Sequence, residues 1–216
     1  ALGGAMLAAF AVYRLASAGA RPGTLSLLLA GIAVSSAASA LASFVLAISL
    51  AEWELGRQLL SWMMGGLEGR GLRHLGIVAP ALLIGGALLA ARARELDALA
   101  LGEESASAVG VDVPALRRSV LALACLATGA SVAVSGTIAF LGLVAPHLVR
   151  LVVGPSHARL LPASALVGGA GLVLADMLSR ALSRDFDLRP GVLTALVGAP
   201  FFVWLLARQR AREVRA

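Results

Sequence analysis

An all-α bundle of membrane-crossing helices is the fold class this sequence predicts, and three observations predict it. Of 216 residues, 59% are hydrophobic and only 14% charged, with a mean hydropathy of +0.90, far more apolar than an average soluble domain. The charges gather in short islands between apolar runs that approach the ~20 residues a helix needs to cross a bilayer. The alternation that barrel strands require is absent. The whole chain reads as a single transmembrane domain, residues 1–216.

The formal net charge of +6 comes from 18 arginines, since the chain has no lysine. A phosphate-binding GxxxxGK[ST] loop is thereby excluded. Arginines spread over loops argue for orientation in a membrane rather than for nucleic acid, which needs them gathered on one face. The single cysteine, Cys125, lies in an apolar run and reads as a small buried hydrophobe. Ala1 begins inside an apolar run with no initiator methionine or basic segment before it, so the expectation is a fragment whose N-terminal part is missing.

In chain order, Leu2 to Val12 is the tail of a membrane helix closed by Tyr13 and Arg14. Leu25 to Leu50 carries no charge and is long enough to cross with some tilt. Its Gly31, Ser35, Ser36, Ser39 and Ser43 include a small-residue stripe suited to close packing or to lining a polar path. Glu52 to Arg73, broken by Gly65 and Gly66, suits a partly helical interfacial segment with Trp53 and Trp62 as anchors. Gly76 to Ala91 crosses back, and Arg92 and Arg94 stop it.

Ala98 to Arg118, ALALGEESASAVGVDVPALRR, is the only long polar interruption flanked on both sides by membrane-grade sequence. Glu103 and Glu104 sit where a helix N-terminus favours negative charge, and Gly110 offers a left-handed C-cap. Ala106 and Val109 fall three apart, a small apolar stripe on one face. Asp112 can cap the next helix, with Pro114 in its first turn. So short a helix buries no core of its own and must lie against the membrane domain or a partner. The residues alone leave both a connecting loop and a partner-docking segment open.

Between Arg118 and Arg150 lie 31 residues, too many for one comfortable span and few for two. One crossing would put the tail arginines 208, 210, 212 and 215 opposite Arg92, Arg94, Arg117 and Arg118, whereas two put all eight together. The positive-inside rule therefore predicts a tight hairpin turning near Ser135 and Gly136. Its second limb holds Gly142, Pro146 and His147 and should be short or irregular, shielded by other helices. Leu160 to Leu178 crosses again, with Gly168, Gly169 and Gly171 for close helix approach. Arg180 to Pro190 is a compact charged loop, and Val192 to Leu206 returns through Gly198 and Pro200 to the basic tail. The sum is seven crossings, with twelve arginines inside and six outside (Arg57, Arg70, Arg73, Arg180, Arg184, Arg189).

Catalytic chemistry is thinly represented. Ser131 and His147 are the nearest nucleophile and base, with no carboxylate placed to orient the histidine. His74 and His157 belong to polar loops and read as solvated. The three histidines share no metal-ligand spacing, so neither a metal nor a cofactor is expected. Asp176, the one acid embedded near an apolar helix, stands four residues before Arg180 and reads as a local ion pair.

Three stretches, ALGEESASAVGVDV at 100 to 113, SGTIAFLGLVAPHLVRL at 135 to 151, and LPASALVGGAGLVLADMLSRAL through RPGVLTALVGAPFFVWLL at 161 to 206, resemble the FecCD-type permeases. These are the membrane subunits of binding-protein-dependent ABC importers for ferric siderophores, haem and cobalamin. The resemblance is collinear from about Leu25 to Leu206, and GLVAPHLVR and LVGAPFFVWLL are its most specific parts. It implies a ten-helix type II ABC importer permease, of which this chain holds roughly the fourth to the tenth helix.

The resemblance also assigns roles. Leu101, Gly102, Glu103, Glu104, Ala106 and Gly110, within a cytoplasmic segment at 98–118, map onto the short coupling helices that sit in a groove of the ATPase. Arg180 matches an outward-facing arginine that pairs with an acid on the binding protein. The helix carrying Ser35, Ser36 and Ser39 corresponds to the one bordering the translocation path. Where relatives often have Glu-Leu-Pro before the last helix, this chain reads Asp187, Leu188, Arg189, Pro190.

The implied protein is a non-enzymatic permease subunit of a bacterial cytoplasmic membrane, surrounded by lipid, with its C-terminus in the cytoplasm. Its implied partners are a second permease subunit, identical or related, two ATP-binding subunits and an extracytoplasmic binding protein, and its cargo an iron-siderophore, haem or cobalamin-type ligand. The rivals are an ion-coupled secondary transporter, which needs buried coupling acids near the midplane, and an intramembrane hydrolase built on Ser131.

Overall fold

Uninterrupted apolar runs become helices here, and charge islands or glycines end them. The structure, a computed structural model, describes residues 2–16, 24–183 and 188–213. Arg21, Arg184, Asp187 and Arg215, all used in the sequence reading, lie outside the described residues. Ten helices follow in order: α1 (Leu2–Ala16), α2 (Thr24–Ser49), α3 (Trp53–Met63), α4 (Leu72–Ala91), α5 (Ala93–Ala100), α6 (Glu103–Ala108), α7 (Val113–Ser135), α8 (Leu141–Val153), α9 (His157–Leu182) and α10 (Pro190–Glu213). There is no strand among the described residues.

Four of these, α2, α4, α7 and α9, are long and apolar enough to cross a bilayer; α1, α8 and the first part of α10 are shorter apolar helices. Together they match the seven expected crossings. Only 0–11% of each long helix's most apolar window is buried inside the chain, so most of its apolar surface faces outward, as a lipid-facing helix requires.

Small residues make the helix contacts. A Cβ on Gly85 of α4 would touch Leu123 O and Ala127 Cβ of α7, and one on Gly168 of α9 would stand 3.6 Å from Ala145 Cβ of α8. Ala93, Ala106, Ala130, Ala145 and Ala175 supply much of the buried core. With lipid as apolar as any side chain, such close backbone approach supplies the packing.

The pairing sorts the ends of the helices. Phe10 and Tyr13 of α1 share a groove with Arg118, Leu121 and Cys125 of α7, so the end of α1 lies beside the start of α7. Arg92, which follows α4, donates to Ser119 Oγ of α7 at 3.2 Å. Gly168 and Gly171 of α9 pack against Ala145 and Leu141 of α8, so those two run antiparallel. Phe201 of α10 meets His147 of α8 edge to face at 6.1 Å, and Gly198 lies on Phe140, so those two run parallel. Arg14, Arg92, Arg117, Arg118, Arg150, Arg159 and Arg208 therefore share one end, and Arg57, Arg180 and Arg189 lie at the other.

The α7–α8 hairpin turns where expected. Gly136 is the C-cap of α7 at φ 68°, a conformation glycine adopts without penalty, and a Cβ there would lie 2.1 Å from Trp62 O. Residues 136–140 are irregular before the 13-residue α8 begins. Gly66 N–H donates to Ser135 O at 2.7 Å, so the α3–α4 connection closes over the turn.

Two expectations need correction. Arg180 stands inside α9 rather than opening a loop, because its ion pair with Asp176, at i and i+4, is satisfied by continued helix. The island at Arg92 and Arg94 bends the chain instead of stopping it: Arg92, at φ −91° and ψ 8°, separates α4 from α5, a short helix the sequence reading did not anticipate.

Candidate functional site

The polar stretch folds as its capping residues dictate. Gly102, at φ 116°, opens α6, with Glu103 and Glu104 in the first turn, where the helix dipole favours acids. Gly110 closes it at φ 87°. Gly110 N–H donates to Ser107 O, and Val111 N–H reaches back to Ala106 O, both at 3.0 Å, the bonding pattern of a Schellman cap. Asp112 Oδ1 accepts from Ala115 N–H at 3.0 Å and so caps α7, with Pro114 in its first turn.

Burial within this stretch differs from the expected stripe. Ala106 is 0% exposed, and Ala93 of α5 and Val113 and Leu116 of α7 are also buried. Val109 is 71% exposed and Leu101 80%. A six-residue helix spans less than two turns, so its single inward position is taken by Ala106, and Val109 already belongs to the cap. Ala106 thus anchors α6 to its own chain, and Leu101 and Val109 are the apolar side chains presented outward.

The acids separate likewise. Both are exposed, but Glu103 accepts from the Arg117 guanidinium of α7. Gly102 and Gly110 are both exposed, and a Cβ at either would meet no heavy atom within 4 Å.

A second tie, invisible in the sequence, fastens α5. Asp97 Oδ1 accepts from His157 N–H at 2.8 Å and lies 2.5 Å from His157 Nδ1, and Asp97 Oδ2 accepts from Ser156 Oγ at 3.1 Å. The His157 backbone and ring donors, with Ser156, hold the Asp97 carboxyl below the ordinary aspartate range against the opposing effect of burial. The expectation of a solvated histidine fails at His157, which is bound to Asp97; His74, in the first turn of α4, accepts from Gly71 N–H at 3.3 Å in an exposed hydrogen bond. GPSH at 154–157 reads as a helix start, but nothing local indicates a capping acid 60 residues upstream.

At the opposite end of α9, Arg180 Nε donates to Asp176 Oδ2 at 2.8 Å, while its side chain stays 56% exposed. Close by, Ser179 Oγ and Ser183 Oγ both donate to Leu188 O, and Arg189 pairs with Glu68 at 2.5 Å. A cavity of about 510 Å³ opens at this end between the end of α2, α3 and the Glu68–Arg189 pair. Ser35, Ser36 and Ser39 are exposed on α2, away from the Glu103 and Asp97 ties.

The hydrolase rival finds no geometry. Ser131 Oγ donates to Ala127 O in its own helix at 2.9 Å, and His147 meets Phe201 edge to face. Among the described residues no three His, Cys, Asp or Glu side chains cluster as metal ligands would.

Residues 1–208 match the FecCD transport family. The chain is 45% identical over 216 residues to the cobalamin import system permease protein BtuC of Halobacterium salinarum, covering 100% of this chain and 56% of that protein. It is 41% identical to the Fe(3+) dicitrate transport system permease protein FecD of Escherichia coli, over 86% of this chain and 58% of that one. To the hemin transport system permease protein HmuU of Yersinia pestis it is 40% identical, over 87% and 55% respectively. A solved structure of a metal-chelate type ABC transporter in an inward-facing conformation superposes with a TM-score of 0.80 at 33% identity, over 96% of this chain and 63% of that one. The chain thus spans somewhat over half the length of these relatives.

Proposed function

The chain belongs to the FecCD transport family, and on that premise we propose that it is the membrane-crossing permease subunit of an ATP-driven importer for an iron-siderophore, haem or cobalamin-type ligand. Two such subunits would enclose the path, and ATP hydrolysis would belong to separate ATPase chains. The arginine-rich end faces the cytoplasm of the inner membrane, which puts the C-terminus inside and Arg180 outside.

In this reading the ATPase docks on the stretch containing Leu101, Gly102, Glu103, Glu104, Ala106 and Gly110. The observation that carries it is the exposure of Leu101 and Val109 on a short helix fixed from beneath by Ala106 and from the side by Glu103–Arg117. Apolar side chains standing out of a polar segment at a charged membrane face favour a protein partner. A firmly seated helix also transmits force better than a solvated loop. Arg180 meets the binding protein, where an exposed charge steers association. Ser35, Ser36 and Ser39 border the path. The ion-coupled rival is disfavoured by the position of Asp176, paired to Arg180 near a helix end rather than at the midplane.

Co-purification of the ATPase with the full-length permease tests the docking. Val109→Asp should abolish it while leaving folding and binding-protein association intact, because Val109 is 71% exposed. Undiminished ATPase association with Val109→Asp and Leu101→Asp together would refute docking at α6.

A further inference from the structure

The first N–H groups of any helix lack partners inside that helix, and a residue such as Ser156 ordinarily supplies one. Here Ser156 makes no side-chain cap bond to α9. It donates instead to Asp97, which also takes the His157 N–H and faces His157 Nδ1. A carboxylate only accepts, so Nδ1 carries a proton and all three interactions converge on one side chain of α5. The negative charge stands at the positive end of the α9 dipole, which strengthens the grip.

The partner-facing stretch is therefore fastened to the bundle twice over. Glu103 ties α6 to α7, and Asp97 ties α5 to α9. α9 then runs 26 residues as one assigned helix, roughly 39 Å at 1.5 Å per residue, and carries the Asp176–Arg180 pair near its far end. A displacement of α5 can pass through this joint into α9, which in turn packs on α8 at Gly168 and Gly171.

We propose that Asp97 is a positioning residue for transport: through Ser156 and His157 it carries the motion of the α5–α6 stretch into α9, and so to the surface that bears Arg180. The inference rests on the docking reading above and adds to it the side chain through which the push leaves the docking stretch. The bland alternative is that Asp97 merely caps α9. The two are separable, because a cap can be supplied locally and a tie to α5 cannot.

The experiment uses the full-length permease in lipid with its ATPase. Spin labels at Leu50 and Leu182, in a Cys125→Ser background, report the distance between the far ends of α2 and α9 before and after ATP with vanadate. The unaltered complex should show a clear shift. Asp97→Ala combined with Ser156→Asp restores a local N-cap without the tie. That variant should assemble and hydrolyse ATP, yet its shift should fall about fivefold or more, a coupling loss of the size found between contacting groups. Asp97→Asn, which keeps the acceptor oxygen, should retain most of the shift. Recovery of the full shift in the doubly substituted chain would reduce Asp97 to a cap and overturn the proposal, as would an ATPase-bound unaltered complex with no shift at all. Failure of the ATPase to bind the unaltered permease is a different result and strikes the docking reading itself.

Discussion

Glu103 of α6 and Arg117 of α7 are ion-paired across the turn that joins their helices. Both acids of that turn are exposed, but Glu103 is engaged by Arg117 within its own chain. Glu104→Gln should therefore weaken ATPase association more than Glu103→Gln, and the gap should widen at low salt, where charge attraction is least screened. An exposed pair contributes at most about 1 kcal/mol, so Glu103→Gln should lower thermal stability only slightly. Equal losses from both variants would show that both acids face the ATPase.

Ala106 permits a prediction about seating. Ala106→Trp forces bulk into a site with no exposed surface, so it should unseat α6 as well as block the partner. Proteolysis within residues 101–112 should become faster in the isolated permease, before any ATPase is added. Unchanged protection would contradict the burial of Ala106.

Asp97 gives the pH dependence. Its folded-state pKa lies below the ordinary aspartate value, so near that value the folded chain holds fewer protons than the unfolded one. Its contribution to stability is complete above the unfolded value of about 3.9 and is lost as the pH falls through the lower folded value. Melting of the detergent-solubilised protein should become easier on acidification below about pH 4, and Asp97→Asn should remove part of that slope. A slope identical in the two proteins would exclude Asp97 as its source.

Arg180 calls for a neutral probe. Reversal to glutamate would place a second acid beside Asp176, one turn away, and disturb the helix. Arg180→Gln should slow binding-protein association several-fold at low salt with little effect on dissociation, as read by surface-based kinetics. Association at the unaltered rate would remove Arg180 from the interface.

Gly136→Ala sets a left-handed residue against Trp62 O at 2.1 Å and should cost about 1–3 kcal/mol of stability. Gly169→Ala, in mid-α9 with open space around it, should be neutral or stabilise by about 1 kcal/mol. Thermal melts of the two variants in one detergent check both. A Gly136→Ala melt at the parental temperature would argue against this hairpin.

Orientation is open to a simple reporter. A fluorescent protein that matures only in the cytoplasm should be bright when fused after Ala216 and dark when inserted between Ser183 and Leu188. The reverse pattern would place the arginine-rich end outside.

The sequence carried most of what is local. Asp112 capping α7, Gly110 ending α6, the turn at Gly136 and the Asp176–Arg180 pair each depend on residues within a few positions, where short-range rules operate. Charge counting also resolved the stretch between Arg118 and Arg150 into two helices. What escaped depends on distance. Asp97 meets Ser156 and His157 across 59 and 60 residues, and Glu68 meets Arg189 across 121. The inward turn of Ala106 escaped for a related reason: helical spacing gives which residues share a face, but only packing gives which face turns inward.

The short α8 has a consequence for the order in which the protein is made. Its 13 residues extend about 20 Å, less than the ~30 Å of bilayer hydrocarbon, and the gap is filled by irregular backbone at 136–140. That backbone is covered by later sequence: Gly191 stands over Thr137 O, and Gly198 over the left-handed Phe140. A nascent chain that has emerged only through α9 has the α3–α4 connection over Ser135 and Gly136 but lacks the α10 residues that cover Thr137 and Phe140, and peptide groups left open to lipid are costly. The turn at 136–140 is therefore completed only when α10, some fifty residues further along the chain, packs against it.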